Sequence, residues 1–120
     1  MHRFMLKSKI HRATVTQSFL EYEGSLTVDR NLMDEVGLVP FEKIGVYNIN
    51  NGERFETYTI RGERGSGKIC INGAAARKVH VGDLIIVIAY TQMTPEEAQN
   101  HSTTVVVCNE NNAVKEIIRD

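Results

Sequence analysis

Asn50-Asn51-Gly52, set between two β-favouring runs, narrows what this chain can become more than any other stretch. A tight hairpin turn needs positive φ, which glycine and asparagine tolerate. Residues 43–49 and 53–60 therefore read as an antiparallel pair. On the return strand Arg54, Glu56, Tyr58 and Ile60 fall on one face, and Phe55, Thr57 and Thr59 on the other. The same grammar of short runs closed by turn residues repeats along the chain. Residues 4–10 alternate, with Phe4, Leu6 and Ile10 on one side and Lys7, Lys9 and His11 on the other, the period of a half-buried strand whose lysines would blunt an edge. Thr14-Val15-Thr16, the pair Leu26 and Val28, residues 68–71 and residues 103–108 and 113–118 add further short strands. Residues 84–90 are too apolar for an exposed strand and far too short to span a bilayer.

Small helices interrupt this pattern. Asp29 is a good N-cap ahead of Leu32, Met33 and Val36, with Gly37 at the stop. Thr94-Pro95-Glu96-Glu97 has capping-box spacing and predicts a brief helix through Gln99. Asn72-Gly73-Ala74-Ala75-Ala76 reads as a turn followed by one helical turn. Many short strands with two or three small helices predict a mainly β fold, and a small closed barrel manages such strand edges best. A chain of 120 residues suits one domain, residues 1–120, with a single core.

Composition removes several function classes. A net charge of −1 gives no electrostatic reason to expect nucleic acid or a membrane surface as partner. The segment Met1-His2-Arg3-Phe4-Met5-Leu6-Lys7 lacks the apolar run of a secretory signal. Cys70 and Cys108 have no CxxC spacing and read as buried, reduced thiols of a cytoplasmic protein. His2, His11, His80 and His101 show neither HxxxH nor HExxH spacing, so no metal site is expected. His80, His101, Lys7 and Arg12 read as surface groups without a role, and Gly65-Ser66 as a loop only. Taken alone, Gly24-Ser25 is a turn with a hydroxyl beside it.

Several motifs change that reading together. Lys9-Ile10-His11-Arg12, Tyr22-Glu23-Gly24-Ser25, Asn51-Gly52-x-Arg54-Phe55-x-Thr57-Tyr58, Glu63-Arg64-Gly65-Ser66-Gly67, Asn72-Gly73-Ala74-Ala75-Ala76 and Val81-Gly82-Asp83 follow one another across roughly residues 1 to 95. In that order they resemble the pyruvoyl-dependent aspartate 1-decarboxylase (aspartate α-decarboxylase) family. The chain beyond about Gln99 adds no matching motif.

The resemblance implies a six-stranded double-psi β-barrel assembled as a homotetramer, with active sites between subunits. It implies self-cleavage between Gly24 and Ser25 into a β chain, residues 1–24, and an α chain, residues 25–120. Ser25 would become a covalent pyruvoyl group, the cofactor, which forms a Schiff base with the amine of L-aspartate and acts as electron sink for loss of the α-carboxylate. The products would be β-alanine, for pantothenate synthesis, and CO2. Glycine at 24 would leave the carbonyl open to attack and tolerate a strained turn. By the same resemblance Thr57 would steady the processing oxyanion and help bind substrate, and Tyr58 would donate the proton. Lys9, His11 and Arg54 would meet the substrate's carboxylates, with Asn72, Gly73, Ala74 and Ala75 as a substrate-binding turn. Strand alternation sets Thr57 opposite Tyr58, so either the strand is bulged or the site gathers both faces at a subunit boundary. The resemblance leaves room for a separate maturation factor. Two other readings of the residues stand beside it, a self-cut hydrolase using an N-terminal Ser25 and a non-catalytic β-barrel binding module.

Overall fold

A computed structural model describes all 120 residues. Nine strands alternate with short helical pieces: β1 (Arg3–Thr14), β2 (Gln17–Phe19), β3 (Ser25–Asp29), β4 (Lys43–Asn48), β5 (Arg54–Gly62), β6 (Ile69–Asn72), β7 (Leu84–Met93), β8 (Thr104–Cys108) and β9 (Val114–Arg119). The helices are α1 (Arg30–Val36) and α2 (Pro95–Gln99), with a 3-10 segment at Gly73–Lys78. The mainly β expectation is met.

The strands hydrogen-bond in the order β2-β6-β3-β5-β4-β7-β1-β8-β9. β2 stands at one end of this order, yet only Val15 and Thr16 separate it from β1. The sheet therefore bends so that the β2 end of the order lies near β1, as in a small β-barrel, with β8 and β9 appended beyond β1. Thr16 stitches the junction through its N–H to the Ile69 carbonyl (2.8 Å) and its Oγ1, which accepts from the Ile69 N–H (3.0 Å). Twenty buried residues fill the core, among them Ile10, Leu26, Ile44, Ile71, Ile85 and Val106.

Local signals produced the helices as expected. The Asp29 carboxylate accepts from the Asn31 N–H at 2.8 Å, and Gly37 closes α1 at φ 71°. The same carboxylate also takes the N–H groups of Gly65 (3.0 Å) and Gly67 (2.8 Å), so one buried acid caps α1 and pins the glycine-rich loop. The capping box of α2 is complete, with Thr94 and Glu97 satisfying each other's backbone.

Long-range pairing changed several expectations. The hairpin loop is longer than a two-residue turn, because Asn48 pairs with Glu53 and the Gly52 N–H returns to the Asn48 carbonyl at 2.9 Å. β5 runs on to Gly62 because its second half pairs in parallel with β3, from Leu26 opposite Thr59 to Asp29 opposite Gly62. β1 is no edge strand, lying between β7 and β8, and it carries register shifts at Leu6/Ser8 and His11/Ala13. Arg12 is the extra residue of the second shift, at φ 63°. Lys7 is not free in solvent, since its ammonium meets Glu42 Oε2 and the Gly37 carbonyl, each at 2.8 Å. His101 is half-buried, its Nε2 hydrogen-bonded to the Leu6 carbonyl.

The tail without a motif has a structural task. Buried Asn112 receives the Thr14 N–H at 2.7 Å and donates to the carbonyls of Thr14 (2.8 Å) and Gly67 (2.7 Å), tying the end of β1 to the glycine-rich loop. No helix is long and apolar enough to cross a membrane.

Candidate active site

β3 begins at Ser25, which passes from the exposed segment 21–24 into a position only 5% exposed. β3 and β6 run antiparallel with Ser25 opposite Asn72 and Thr27 opposite Cys70. Paired residues share a face, and residues two apart on one strand do too, so these four side chains form one block. Asn72 lies at its centre. Its Nδ2 donates to Ser25 Oγ at 2.9 Å and to Thr27 Oγ1 at 3.1 Å, and its Oδ1 accepts from Cys70 Sγ at 3.2 Å. A buried carboxamide is costly unless its donors and acceptor are met, and here all are engaged.

The block forms the floor of an open cleft of about 740 Å³. Tyr58 and Ile60 line it from β5, Phe41 from the loop before β4, and Phe19 and Tyr22 from the segment around β2. The charged groups on the wall are Arg61 and Lys68 on one hand and Glu21 and Glu23 on the other. Burial pushes the Cys70 thiol above its usual pKa, partly offset by the Lys68 ammonium, so it stays protonated. Burial and the nearby Asp29 carboxylate raise the other thiol, Cys108, to about 11.

The glycine that shapes this site is not Gly24. Gly24 is not among the positive-φ glycines, and a Cβ built on it would meet nothing within 4 Å. The strained turn expected there is absent. Gly73 carries the constraint instead, at φ 80°, where a Cβ would stand 2.7 Å from Gly24 Cα, 2.8 Å from Gly24 N and 2.9 Å from the Tyr22 carbonyl. The backbone of segment 22–24 is thus pressed onto Gly73, which presents the Gly24–Ser25 bond at the rim of the cleft. Ala74 is exposed, and Ala75 packs against the core.

The remaining expected residues lie elsewhere in the single chain. His11 pairs with Ile86, Ile86 with Tyr47, and Tyr47 with Arg54, which puts all four in one row across β1, β7, β4 and β5. Arg54 stacks on the Tyr47 ring with Cζ 3.9 Å from its centroid, and Tyr47 shares a 3.1 Å hydroxyl contact with Tyr90. Lys9 sits two residues before His11 on the same strand. Burial, then Lys9 and Arg12, push the His11 imidazole below 6.5, so it is neutral at pH 7 and the row's fixed cation is Arg54. Lys9, His11, Arg54, Thr57, Gly73, Ala74 and Ala75 are not among the residues lining the cleft. The β4–β5 register runs unbroken from Lys43 opposite Tyr58 to Tyr47 opposite Arg54. A bulge between Thr57 and Tyr58 is therefore excluded, and the two face opposite ways.

Sequence reasoning missed Thr27, Cys70, Arg61 and Lys68. Thr27 and Cys70 carried a usable signal, each lying two strand residues from a named partner, Ser25 and Asn72. Arg61 and Lys68 had none, because which loop faces the cleft depends on the parallel pairing of β3 with β5.

Comparison with known proteins agrees with the motif order. The family model described as aspartate decarboxylase matches residues 1–115. An aspartate 1-decarboxylase of Thermoanaerobacter pseudethanolicus is 60% identical over 112 residues, covering 93% of this chain and 96% of the relative. The corresponding protein of Clostridium acetobutylicum is 56% identical over 117 residues, covering 98% and 92%. That of Staphylococcus aureus is 53% identical over 120 residues, covering 100% and 94%.

Proposed function

The chain belongs to the aspartate decarboxylase family, and on that premise we propose how its own residues make and serve the reactive group. The reaction is loss of the α-carboxylate of L-aspartate, giving β-alanine for pantothenate synthesis and CO2. We infer that the chain cuts itself between Gly24 and Ser25 into residues 1–24 and 25–120, and that Ser25 becomes a pyruvoyl group. The observation that carries this is the Ser25 hydroxyl, buried at the cleft floor and held at 2.9 Å by Asn72, immediately after an exposed Gly24.

In maturation the Ser25 Oγ attacks the Gly24 carbonyl carbon and the amide becomes an ester. Elimination releases the Gly24 carboxylate and leaves a dehydroalanine at position 25, whose hydrolysis by water expels the nitrogen as ammonia and leaves a ketone. The surroundings fit such a group, because it is built from atoms already buried, an N–H donor points at it, and a phenol lines the same cleft. When present it supplies a carbonyl that accepts the electron pair left by decarboxylation. Tyr58 is positioned on the cleft wall to hold and deliver the proton that replaces the carboxylate. Asn72 lines the cleft a bound substrate would enter, Arg61 and Lys68 supply positive charge there, and the turn Gly73-Ala74-Ala75 follows directly behind Asn72.

Lys9, His11, Arg54 and Thr57 then act on a neighbour's cleft, with Thr57 as the oxyanion donor in processing and Arg54 as the carboxylate clamp. A homotetramer with shared sites is supported by the apolar surface a lone chain leaves bare, including Phe4 at 75%, Phe41 at 76% and Tyr90 at 48% exposure. Intact-mass spectrometry tests the reading. Two chains, with the larger lacking its N-terminal amine and trapped by borohydride in the presence of aspartate, are expected. A free N-terminal serine would instead indicate a hydrolase, and one uncut chain a binding module.

A further inference from the structure

The amide orientation of Asn72 is set by what lies behind it. Ser25 and Thr27 present hydroxyls, which donate or accept and so suit either end of a carboxamide. On the other side stands Cys70, whose S–H is a donor while its sulfur accepts only weakly. That thiol is 1% exposed and protonated, with Sγ 3.2 Å from Asn72 Oδ1. Turning the amide over would put an N–H on sulfur and point the carbonyl at Ser25 and Thr27.

We propose that Cys70 is a positioning residue for chain cleavage, its S–H holding the Asn72 carboxamide so that the N–H, and not the carbonyl, faces Ser25 Oγ. This rests on the self-processing reading above. Attack by Oγ forms a bond to the Gly24 carbonyl carbon, breaks the carbon–nitrogen bond and moves the hydroxyl proton to the Ser25 nitrogen. A carbonyl at Asn72's present donor position would accept that proton's hydrogen bond and aim it away from the nitrogen. The N–H leaves the proton free. In the elimination that follows, the Ser25 Cα proton is lost and the Cβ–Oγ bond breaks, its electron pair departing with Oγ on the Gly24 carboxylate. An N–H donor on that oxygen stabilises the charge it gains.

The test follows cleavage of wild type, Cys70→Ala, Cys70→Val and Cys70→Ser by intact mass over time, with thermal unfolding of each uncut protein as the check on folding. Loss of one oriented hydrogen bond predicts cleavage slowed about fivefold in the Ala variant. The Val variant, which fills the space without a donor, should be slowed alike. The Ser variant, which restores a donor to Oδ1, should recover most of the rate. Ala and Val variants cut as fast as wild type would overturn the inference, leaving self-processing intact. Equal slowing in Ala, Val and Ser would also overturn it, since packing and not hydrogen bonding would then govern the rate. A wild-type chain that stays uncut would overturn both readings.

Discussion

Gly73→Ala probes the contact that presents the Gly24–Ser25 bond, the proposed point of cleavage. The new methyl would stand at φ 80°, a conformation that costs a non-glycine residue about 1–3 kcal/mol. It would also lie 2.7–2.9 Å from three backbone atoms of Tyr22 and Gly24. Backbone cannot rotate aside as a side-chain tip can, and forced overpacking of this kind costs about 1–3 kcal/mol more. Together these give a loss of about 2–6 kcal/mol, or a segment 22–24 pushed off its seat. The first outcome lowers the melting temperature, and the second moves the Gly24 carbonyl away from Ser25 Oγ. Gly24→Ala is the control, because its Cβ meets nothing within 4 Å and its φ is not positive. That variant should stay within about 0.5 kcal/mol of wild-type stability. Thermal unfolding of uncut protein and an intact-mass time course measure both effects. A Gly73→Ala protein with wild-type melting and wild-type cleavage would refute the claim that Gly73 sets the turn.

Tyr58→Phe keeps the ring beside Phe41, 6.3 Å between centroids, and removes only the hydroxyl; processing should be normal and kcat should fall by about 10²–10⁴. Ser25→Ala should remain one inactive chain. Co-assembled at random with Arg54→Ala chains, it should regain activity at roughly a quarter of the sites if each site borrows Arg54 from a neighbour; no recovery in a mixed tetramer would place Ser25 and Arg54 in the same subunit's site. Asp83 is held below its usual pKa of 3.8 by the Asn48 amide first and then by the His80 N–H. A depressed folded pKa stabilises above the unfolded value and the benefit is lost as pH falls through the folded one. Asp83→Asn should therefore be less stable than wild type near neutrality and lose the difference in acid, as unfolding scans across pH would record; a gap independent of pH would remove the carboxylate from the account.

What was legible in the chain was what short-range chemistry decides. Asp29, Gly37 and the Thr94–Glu97 box fixed both helices, since caps act within a turn of the backbone they satisfy. Alternation on β5 correctly separated Tyr58 from Thr57, and the unbroken register removed the bulge that would have reconciled them. The motifs placed Ser25, Tyr58 and Asn72 in one family site, and the fold brings these three to one cleft. It does not bring Lys9, His11, Arg54 and Thr57 to that cleft within a chain.

The sequence by itself determined most of the strands, both capped helices, the mainly β class and the family, but not β2 at Gln17–Phe19 or the break at Val15 and Thr16 before it. It could do so because periodicity, caps and motif order are written in neighbouring residues. Tertiary structure alone decided that Asn72 meets a serine 47 positions away, that Gly73 rather than Gly24 carries the positive φ, and that Asn112 locks the tail to β1. Those contacts depend on which strands pair and in what register, and pairing is settled by burial of the whole core at once, not by any one segment's own preference.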